Sequence, residues 1–423
     1  MKRVLVITYY WPPAGGPGVQ RWLKFVTYFR DFGVEPVVYI PKNPHYPLKD
    51  ASLLDEVPKD IKIIENTIFE PYGLSKLISG RKTKRISSGV ISEKNQSVLE
   101  RVMLWIRGNL FIPDARKFWV NPSVKFLEPI LKKEGIETII TTGPPHSVHL
   151  IGLKLKEQLG LQWIADFRDP WTTIGYHKKL KLTTSGQKKH KELERKVLNT
   201  ADKIVVTSKT TKQEFQGLTP KPIKLITNGF DMGERKPVTL VDKFAIAHIG
   251  SMLTKRNPRN LWKVLGELVR ENIGFKESLQ LNFVGVVGQD TLDSLNEFGL
   301  HEFVNIIGYV PHEEAVLYQL KSQVLLLVEI DSEETKGIIP GKFFEYVSSG
   351  RPILGIGPVN WEVAEMITET ASGKVFNYTQ ESELKKVLLN WFQQFQNNSL
   401  KSSATNIERY SRRELTRQLA DYI

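Results

Sequence analysis

The 423-residue chain contains no cysteine. That excludes disulfides, thiolate metal sites and cysteine nucleophiles, and it suits a reducing compartment. Long apolar runs are missing as well: no stretch approaches the roughly 18 uncharged apolar residues that a membrane-spanning helix needs. The opening MKRVLVITYYWPP is basic and then apolar, but its apolar run stops at Trp11 before two prolines, short of a secretory leader, and it reads as a first strand. Solenoid-period repeats and low-complexity tracts are absent. Acid is the scarcer charge, with 46 Asp and Glu against 59 Lys and Arg, a net of +13. Such an excess serves plain solubility as readily as nucleic acid, acidic lipid or a phosphorylated substrate. Nucleic acid is set aside, because the basic residues are not interleaved with aromatic platforms and no helix-turn-helix or RNA-binding signature occurs.

What is present is globular. Hydrophobic residues make up 41% of the chain, and 20 Phe, 13 Tyr and 9 Trp supply large core side chains. Short β-branched runs recur, each followed by a polar helical stretch: RVLVITYY, VEPVVYI, IKIIE, ETIITTG, LQWIADF, KIVVTS and KLITNG. After a break near residues 235–243, which contains Pro237, the rhythm restarts with FAIAHIGS, LQLNFVGVVG, FVNIIGYV, QVLLLVEI, RPILGIG and KVFNY. Alternation of this kind predicts βαβ units and parallel sheets, hence an α/β protein of two Rossmann-like lobes. The expected divisions are residues 1–235, residues 236–402, and a C-terminal helical segment, residues 403–423, that packs back on the first lobe. Residues 76–120 break the rhythm. Between Arg81 and Lys117, the basic residues Arg81, Lys82, Lys84, Arg85, Lys94, Arg101, Arg107, Arg116 and Lys117 face only three acids, a net of +6. Val98, Val102, Met103, Trp105, Ile106 and Leu110 form an apolar stripe at helical spacing, which either packs on the core or lies on an anionic membrane surface.

The chemistry-bearing residues cluster after strands. Gly15, Gly16 and Gly18 sit between the first strand and a helix, where glycine lets backbone amides approach a phosphate or sugar. This is neither a Rossmann GxGxxG, since Arg21 holds the third position, nor a Walker loop. TTGPPHSVH places His146 and His149 at a strand end, without an obvious third ligand for a metal. WIADFRDPWT brings Asp166, Arg168, Asp169 and Trp171 to another strand end, where an acid and an arginine can fix hydroxyls or a phosphate. In the second lobe Gly250 and Ser251 make a turn followed by Lys255, Arg256 and Arg259, cations suited to a diphosphate. The loop Gly337, Ile338, Ile339, Pro340 and Gly341 then opens a helix carrying Lys342 and Glu345 on its first turn. Such a turn offers amides and an ammonium to phosphates, while the carboxylate accepts the two vicinal hydroxyls of a ribose.

With these motifs assembled, the chain resembles a family 4 glycosyltransferase of GT-B fold, of the kind that builds bacterial surface polysaccharide. The resemblance rests on the glycine loop, on NGFD at Asn228 to Asp231, on GS followed by KRN, and on PGKFFEYVSSGRPIL, and it spans nearly the whole chain. It implies two lobes with their sheets facing a cleft, the first binding the acceptor and the second the nucleotide-sugar, with a hinge near Asp231 to Pro237. Glu345 would hold the ribose, and Lys342 or Arg256 the donor diphosphate. The family's preceding glutamate falls at Gly337, so the donor sugar would be met by the amides of Gly337 to Ile339 or by Glu333 or Glu334. Ser251 and Met252 stand where many members carry an arginine, and Lys255 and Arg256 would compensate. Where the family often has a histidine after a strand, this chain has ADFRD, so Arg168 or Asp169 stands in.

The expected activity is transfer of a sugar from a nucleotide-diphosphate sugar to a glycan or lipid-linked acceptor, with retention, no cofactor and no metal. The expected catalytic group comprises Asp166, Arg168, Asp169 and His146. The donor contacts are Gly15, Gly16, Gly18, Gly250, Ser251, Lys255, Arg256, Gly337, Ile338, Ile339, Gly341, Lys342 and Glu345. A cytoplasmic enzyme docking on the inner face of the membrane fits the basic insert. The alternatives are a sugar-nucleotide epimerase of the same fold and a non-catalytic nucleotide-sugar-binding protein.

Overall fold

Each β-branched run becomes a strand. The computed structural model describes residues 1–70, 98–233, 238–253 and 255–423, and among these the strands gather into two wholly parallel sheets. Residues Met1–Asn228 with Arg412–Ile423 make one unit, and Gly229–Ser411 the other. Arg81, Lys82, Lys84, Arg85 and Lys94 of the basic insert, and Pro237 of the expected linker, lie outside the described residues.

The first unit holds β1 (Lys2–Ile7), β2 (Val34–Lys42), β3 (Lys62–Thr67), β4 (Thr138–Gly143), β5 (Gln162–Phe167), β6 (Lys203–Val206) and β7 (Ile223–Leu225), in the order β3-β2-β1-β4-β5-β6-β7. Because side chains alternate along a strand, β1 feeds two cores. Leu5 and Ile7 face one layer with Leu23, Val26 and Ile151, while Val4 and Val6 face another with Trp22, Phe25, Leu415 and Leu419. The terminal helix Arg412–Ala420 therefore belongs to this unit's core, and Arg412 and Arg413 tie it further to Gln20 and Asp31.

The second unit holds β8 (Phe244–Ile249), β9 (Leu279–Val284), β10 (Val304–Gly308), β11 (Val324–Val328), β12 (Ile353–Ile356) and β13 (Gly373–Phe376), ordered β10-β9-β8-β11-β12-β13. Its helices again cover both faces, with Phe244 and Ile246 of β8 on one side and Ala247 and Ile249 on the other. Full burial on both faces explains why β8 and β11 read as continuous apolar runs rather than alternating ones.

In each sheet the chain order reverses once, between β1 and β4 and between β8 and β11. At such a point the connections leave in opposite directions and open a crevice at the carboxyl ends of the strands. The glycine loop and His146 follow β1 and β4; Gly250 and the acidic end of β11 follow β8 and β11. The topology alone thus carries most of the motif residues to two such crevices, one in each unit.

The helix Val98–Asn109 divides the apolar stripe, with Met103 and Ile106 half-buried. Val98, Val102, Trp105 and Leu110 are exposed, while Leu104 and Gly108 turn inward. A Cβ on Gly108 would stand 2.7 Å from the Leu180 carbonyl oxygen, so a glycine-sized gap sets which face packs.

Candidate functional site

In the first unit the glycine loop is held by the segment after β2. The Gly15 amide donates to the Leu48 carbonyl (3.1 Å), and the Val19 and Gln20 amides both return to the Gly16 carbonyl. Those three amides are spent within the loop. Gly16, at φ 106°, adopts a backbone that only glycine enters freely, and it caps the helix Pro17–Tyr28. Gly18 is needed for space: a Cβ there would lie 1.4 Å from Arg168 Nη1, so the guanidinium rests directly on the glycine. Arg168 also donates to the Pro144 carbonyl through Nη2, its own amide reaches Gly143 (3.1 Å), and its carbonyl accepts from Thr207 Oγ1 (2.7 Å). The ends of β1, β4 and β5 are thereby joined around one guanidinium whose Nε is buried without a hydrogen-bond partner. Asp169 stands two residues beyond β5, and burial raises its carboxyl pKa while Arg168 opposes the shift.

Asp166 does not join them at the surface. It is 1% exposed and sits beneath the sheet end, where Oδ1 meets Arg21 Nη2 at 3.1 Å and Oδ2 accepts from Trp22 Nε1 and Thr142 Oγ1, both at 2.8 Å. Arg21 is equally buried and donates onward to the Ile226 and Thr227 carbonyls. The Asp166 carboxylate is thus consumed in locking the first helix to β4, β5 and, through Arg21, the segment after β7. A buried charge must be paired in this way, and the pairing removes Asp166 from the accessible group.

His146 and His149 are also interior. His146 caps the helix Ser147–Leu159 and stacks on Trp171, ring centroids 4.9 Å apart and 2° from parallel, with neither ring nitrogen partnered. Burial carries its pKa well below the ordinary histidine range, so the ring is neutral near pH 7. His149 Nδ1 lies 2.8 Å from Thr141 Oγ1, which itself accepts from Trp163 Nε1 at 2.9 Å. The Thr141 hydroxyl thus joins the His149 ring to the Trp163 indole inside the sheet, while His149 Nε2 is buried without a hydrogen-bond partner. Burial pushes the His149 pKa down to about 3. Among the described residues, no group of three or more His, Asp or Glu side chains is arranged to hold a metal ion.

The second unit's crevice is denser in charge. Gly250, at φ 102°, donates its amide to Val284, while Met252 and Gly288 bond across to residues 286 and 252. Gly285 approaches Gly250 so closely that a Cβ would stand 2.7 Å from the Gly250 carbonyl carbon. Lys342, on the first turn of the helix Gly341–Ser349, reaches over Gly250, where a Cβ would meet Nζ at 2.9 Å. Its pKa is pushed down to about 8, first by burial and then by Arg256, with Glu329 and Glu345 pulling the other way. Tyr346 fixes the same helix to the sheet by accepting the Ile249 amide on its hydroxyl (2.9 Å).

Two acids position the remaining groups. Glu329, fully buried at the end of β11, accepts Arg256 through Nη2 at 3.1 and 3.2 Å and through Nε at 3.3 Å, holding a partly exposed guanidinium at the crevice. Glu345 accepts from Gln319 Nε2 at 2.9 Å, which orients its carboxylate. Arg259, grouped with these cations in the sequence, turns away onto Glu297 and Ser294. Ser251 and Lys255 are exposed on the loop. Gly337, Ile339 and Gly341 are half-buried, and the Ile338 amide is occupied by the Thr335 carbonyl (3.0 Å). Glu333 pairs with Lys336 at 2.6 Å. Sequence reasoning missed Glu329, Gln319 and His248. The signal for Glu329 and His248 was there, as a single polar residue ending or interrupting an apolar strand run; Gln319 carries none.

Comparison with known proteins follows the same lines. Residues 90–234 match the model of Glycosyltransferase Family 4. Over the whole chain the structure is similar to sucrose-phosphate synthase from Thermosynechococcus elongatus (13% identity, TM-score 0.59, covering 100% of this chain and 98% of that one). It is similar also to mutant TarM from S. aureus in complex with fondaparinux, alpha-GlcNAc-glycerol and UDP (11%, 0.60, 100% and 99%). A further likeness is to a protein described as a UDP-N-acetylglucosamine 2-epimerase from Listeria monocytogenes (14%, 0.55, 99% and 95%). No curated protein matches the chain. At these identities what is shared with the solved structures is the fold.

Proposed function

We propose, from the premise that this chain is a glycosyltransferase of GT-B fold carrying a family 4 domain at residues 90–234, that it moves a sugar from a nucleotide-diphosphate sugar to a glycan or lipid-linked acceptor. The observation that carries the reading is the crevice beyond β8 and β11. There an ammonium, a guanidinium held by a buried acid, and an oriented carboxylate converge beside a helix N-terminus. Lys342 and Arg256 offer positive charge to a diphosphate, and Glu345 offers two acceptor oxygens to ribose hydroxyls.

In the transfer, the bond between the anomeric carbon and the diphosphate oxygen breaks with its electron pair going to the diphosphate, and the acceptor hydroxyl oxygen forms the new bond as its proton passes to the departing diphosphate. Charge grows on the leaving group, and fixed cations in a partly desolvated crevice stabilise it more than water does. A general acid on the leaving group is then not required, and retention without a metal is proposed from the family 4 resemblance alone. Arg168 and Asp169 are the first-unit groups proposed to meet the reacting sugar or acceptor, with His146 behind them. The exposed Val98, Val102, Trp105 and Leu110, beside Arg101 and Arg107, support docking on an anionic membrane surface, as synthesis of a lipid-linked surface glycan would require. Partition of the wild type and Trp105→Glu onto anionic vesicles tests that part, and equal partition argues against it.

The donor reading is tested by thermal shift with UDP, GDP, ADP and dTDP sugars on wild type and Glu345→Ala. One nucleotide series should stabilise the wild type and lose that effect in the variant; stabilisation that survives in the variant contradicts the assignment. The epimerase reading draws on Asp169 and His146, an acid of raised pKa and a neutral imidazole at neighbouring strand ends. Epimerisation of a donor incubated without acceptor would favour it.

A further inference from the structure

We infer that His248 is a positioning residue for Lys342: a neutral imidazole, rooted in the sheet, that accepts the lysine ammonium and aims it over Gly250. The inference deepens the donor-site reading above and rests on it for its functional meaning, though not for the contact itself.

Strand β8 carries an anomaly. Its six residues, FAIAHI, are all buried, and His248 is the one polar side chain among them, 1% exposed. An apolar residue would satisfy the packing, so the imidazole must be supported by its hydrogen bonds. Nδ1 lies 3.0 Å from the Leu326 carbonyl oxygen of the neighbouring strand β11. A carbonyl only accepts, so Nδ1 carries the hydrogen and Nε2 presents a lone pair. Lys342 Nζ is 3.2 Å from that Nε2. An ammonium only donates, so the Leu326 and Lys342 contacts agree on this tautomer, with the Ser251 backbone a further partner of the ring. Burial holds His248 well below the usual histidine range, with Lys342 reinforcing the shift, so near pH 7 the ring is neutral while the lysine is still largely charged.

The surroundings explain why Lys342 needs such a partner. From the loop after β8 comes Arg256, from the end of β11 Glu329, and from its own helix Glu345. Glu329 is bound to Arg256 and Glu345 to Gln319, so both acids attract Lys342 from a distance while already engaged elsewhere. The ammonium also stands at the N-terminal end of the helix Gly341–Ser349, where the backbone dipole disfavours a cation. His248 gives it a fixed acceptor without adding negative charge that would repel a diphosphate. Gly250 completes the device, since any side chain there would occupy the path of Nζ.

The test reads Lys342 directly. Competitive acylation of the unliganded protein from pH 6.5 to 10, followed by peptide mass spectrometry, gives the pKa of the Lys342 amine in wild type, His248→Leu and His248→Gln. Losing one hydrogen bond to a charged group should move the His248→Leu value down by about one pH unit. His248→Gln, whose side-chain oxygen can accept, should return toward wild type. Unchanged Lys342 titration in a folded His248→Leu overturns the inference; if that variant does not fold, a His248→Gln protein with wild-type titration supports it and one shifted as far as a full unit overturns it. UDP binding by calorimetry, with Lys342→Met as control, separates the two levels. A titration shift with UDP binding unaffected by Lys342→Met leaves the contact standing and sinks the donor reading. UDP binding lost in Lys342→Met with no titration shift does the reverse.

Discussion

Replacing Asp166 with alanine is expected to damage folding rather than chemistry, and the size of the effect follows from its partners. The substitution strips a buried guanidinium of its counter-ion: Arg21 and Asp166 side chains are only 2% and 1% exposed to solvent. It also leaves Trp22 Nε1 and Thr142 Oγ1 without the acceptor they share. Breaking a buried pair from one side costs about 3–5 kcal/mol, with the orphaned donors included in that range because such losses are not additive. At about 2–4 °C per kcal/mol for a domain of roughly 150–250 residues, the first unit should melt about 10 °C lower. Calorimetry is the assay, read as the shift of the transition in Asp166→Ala against wild type. The double variant Arg21→Met with Asp166→Leu should recover much of the loss, since it removes both charges together. A fall of less than about 1 kcal/mol in Asp166→Ala, or a double variant no better than the single, would refute the buried-pair reasoning.

Two further outcomes follow. His149 has a folded pKa of about 3 against an unfolded value near 6.5, so its contribution is complete above pH 6.5 and is lost as pH falls from there toward 3. At pH 5 that is about 2 kcal/mol, with His146, His177 and His248 acting in the same direction; urea unfolding at pH 7 and pH 5 should show the drop, and His149→Phe should flatten it. Gly18→Ala should displace the Arg168 guanidinium, whose Nη1 occupies the Cβ position, while costing little stability because the displaced atoms end a flexible chain. Transferase activity well below wild type with an unchanged melting temperature is the expected pair of readings, and wild-type activity would detach Arg168 from the reaction.

The strands were legible in the sequence because each is a β-branched run closed by glycine, proline or a polar turn, a local signal that burial on both faces only strengthens. The helix start at Gly341 and the glycine loop were legible for the same local reason. What escaped is the pairing of charges. Asp166 and Arg21 are 145 residues apart, and Arg256 and Glu329 are 73. Nothing near Asp166 distinguishes an acid that faces a substrate from one that holds a helix down. Arg256 and Arg259 look alike in KRNPR, yet one points to the crevice and the other to Glu297 because a helix begins between them. The stripe Val98, Val102 and Trp105 has the spacing of a core face, but whether a face is covered depends on its neighbours, and here Leu104 and Gly108 are the side that packs.

The central claim is that the crevice following β8 and β11 receives a nucleoside diphosphate, and a crystal of the protein grown with the UDP, GDP, ADP or dTDP sugar that stabilises it most measures this directly. The account predicts phosphate oxygens within hydrogen-bond reach of Lys342 Nζ above Gly250 and ribose hydroxyls on the Glu345 carboxylate. A nucleotide bound anywhere else, with Lys342 still resting on His248 alone and Glu345 on Gln319 alone, would contradict it.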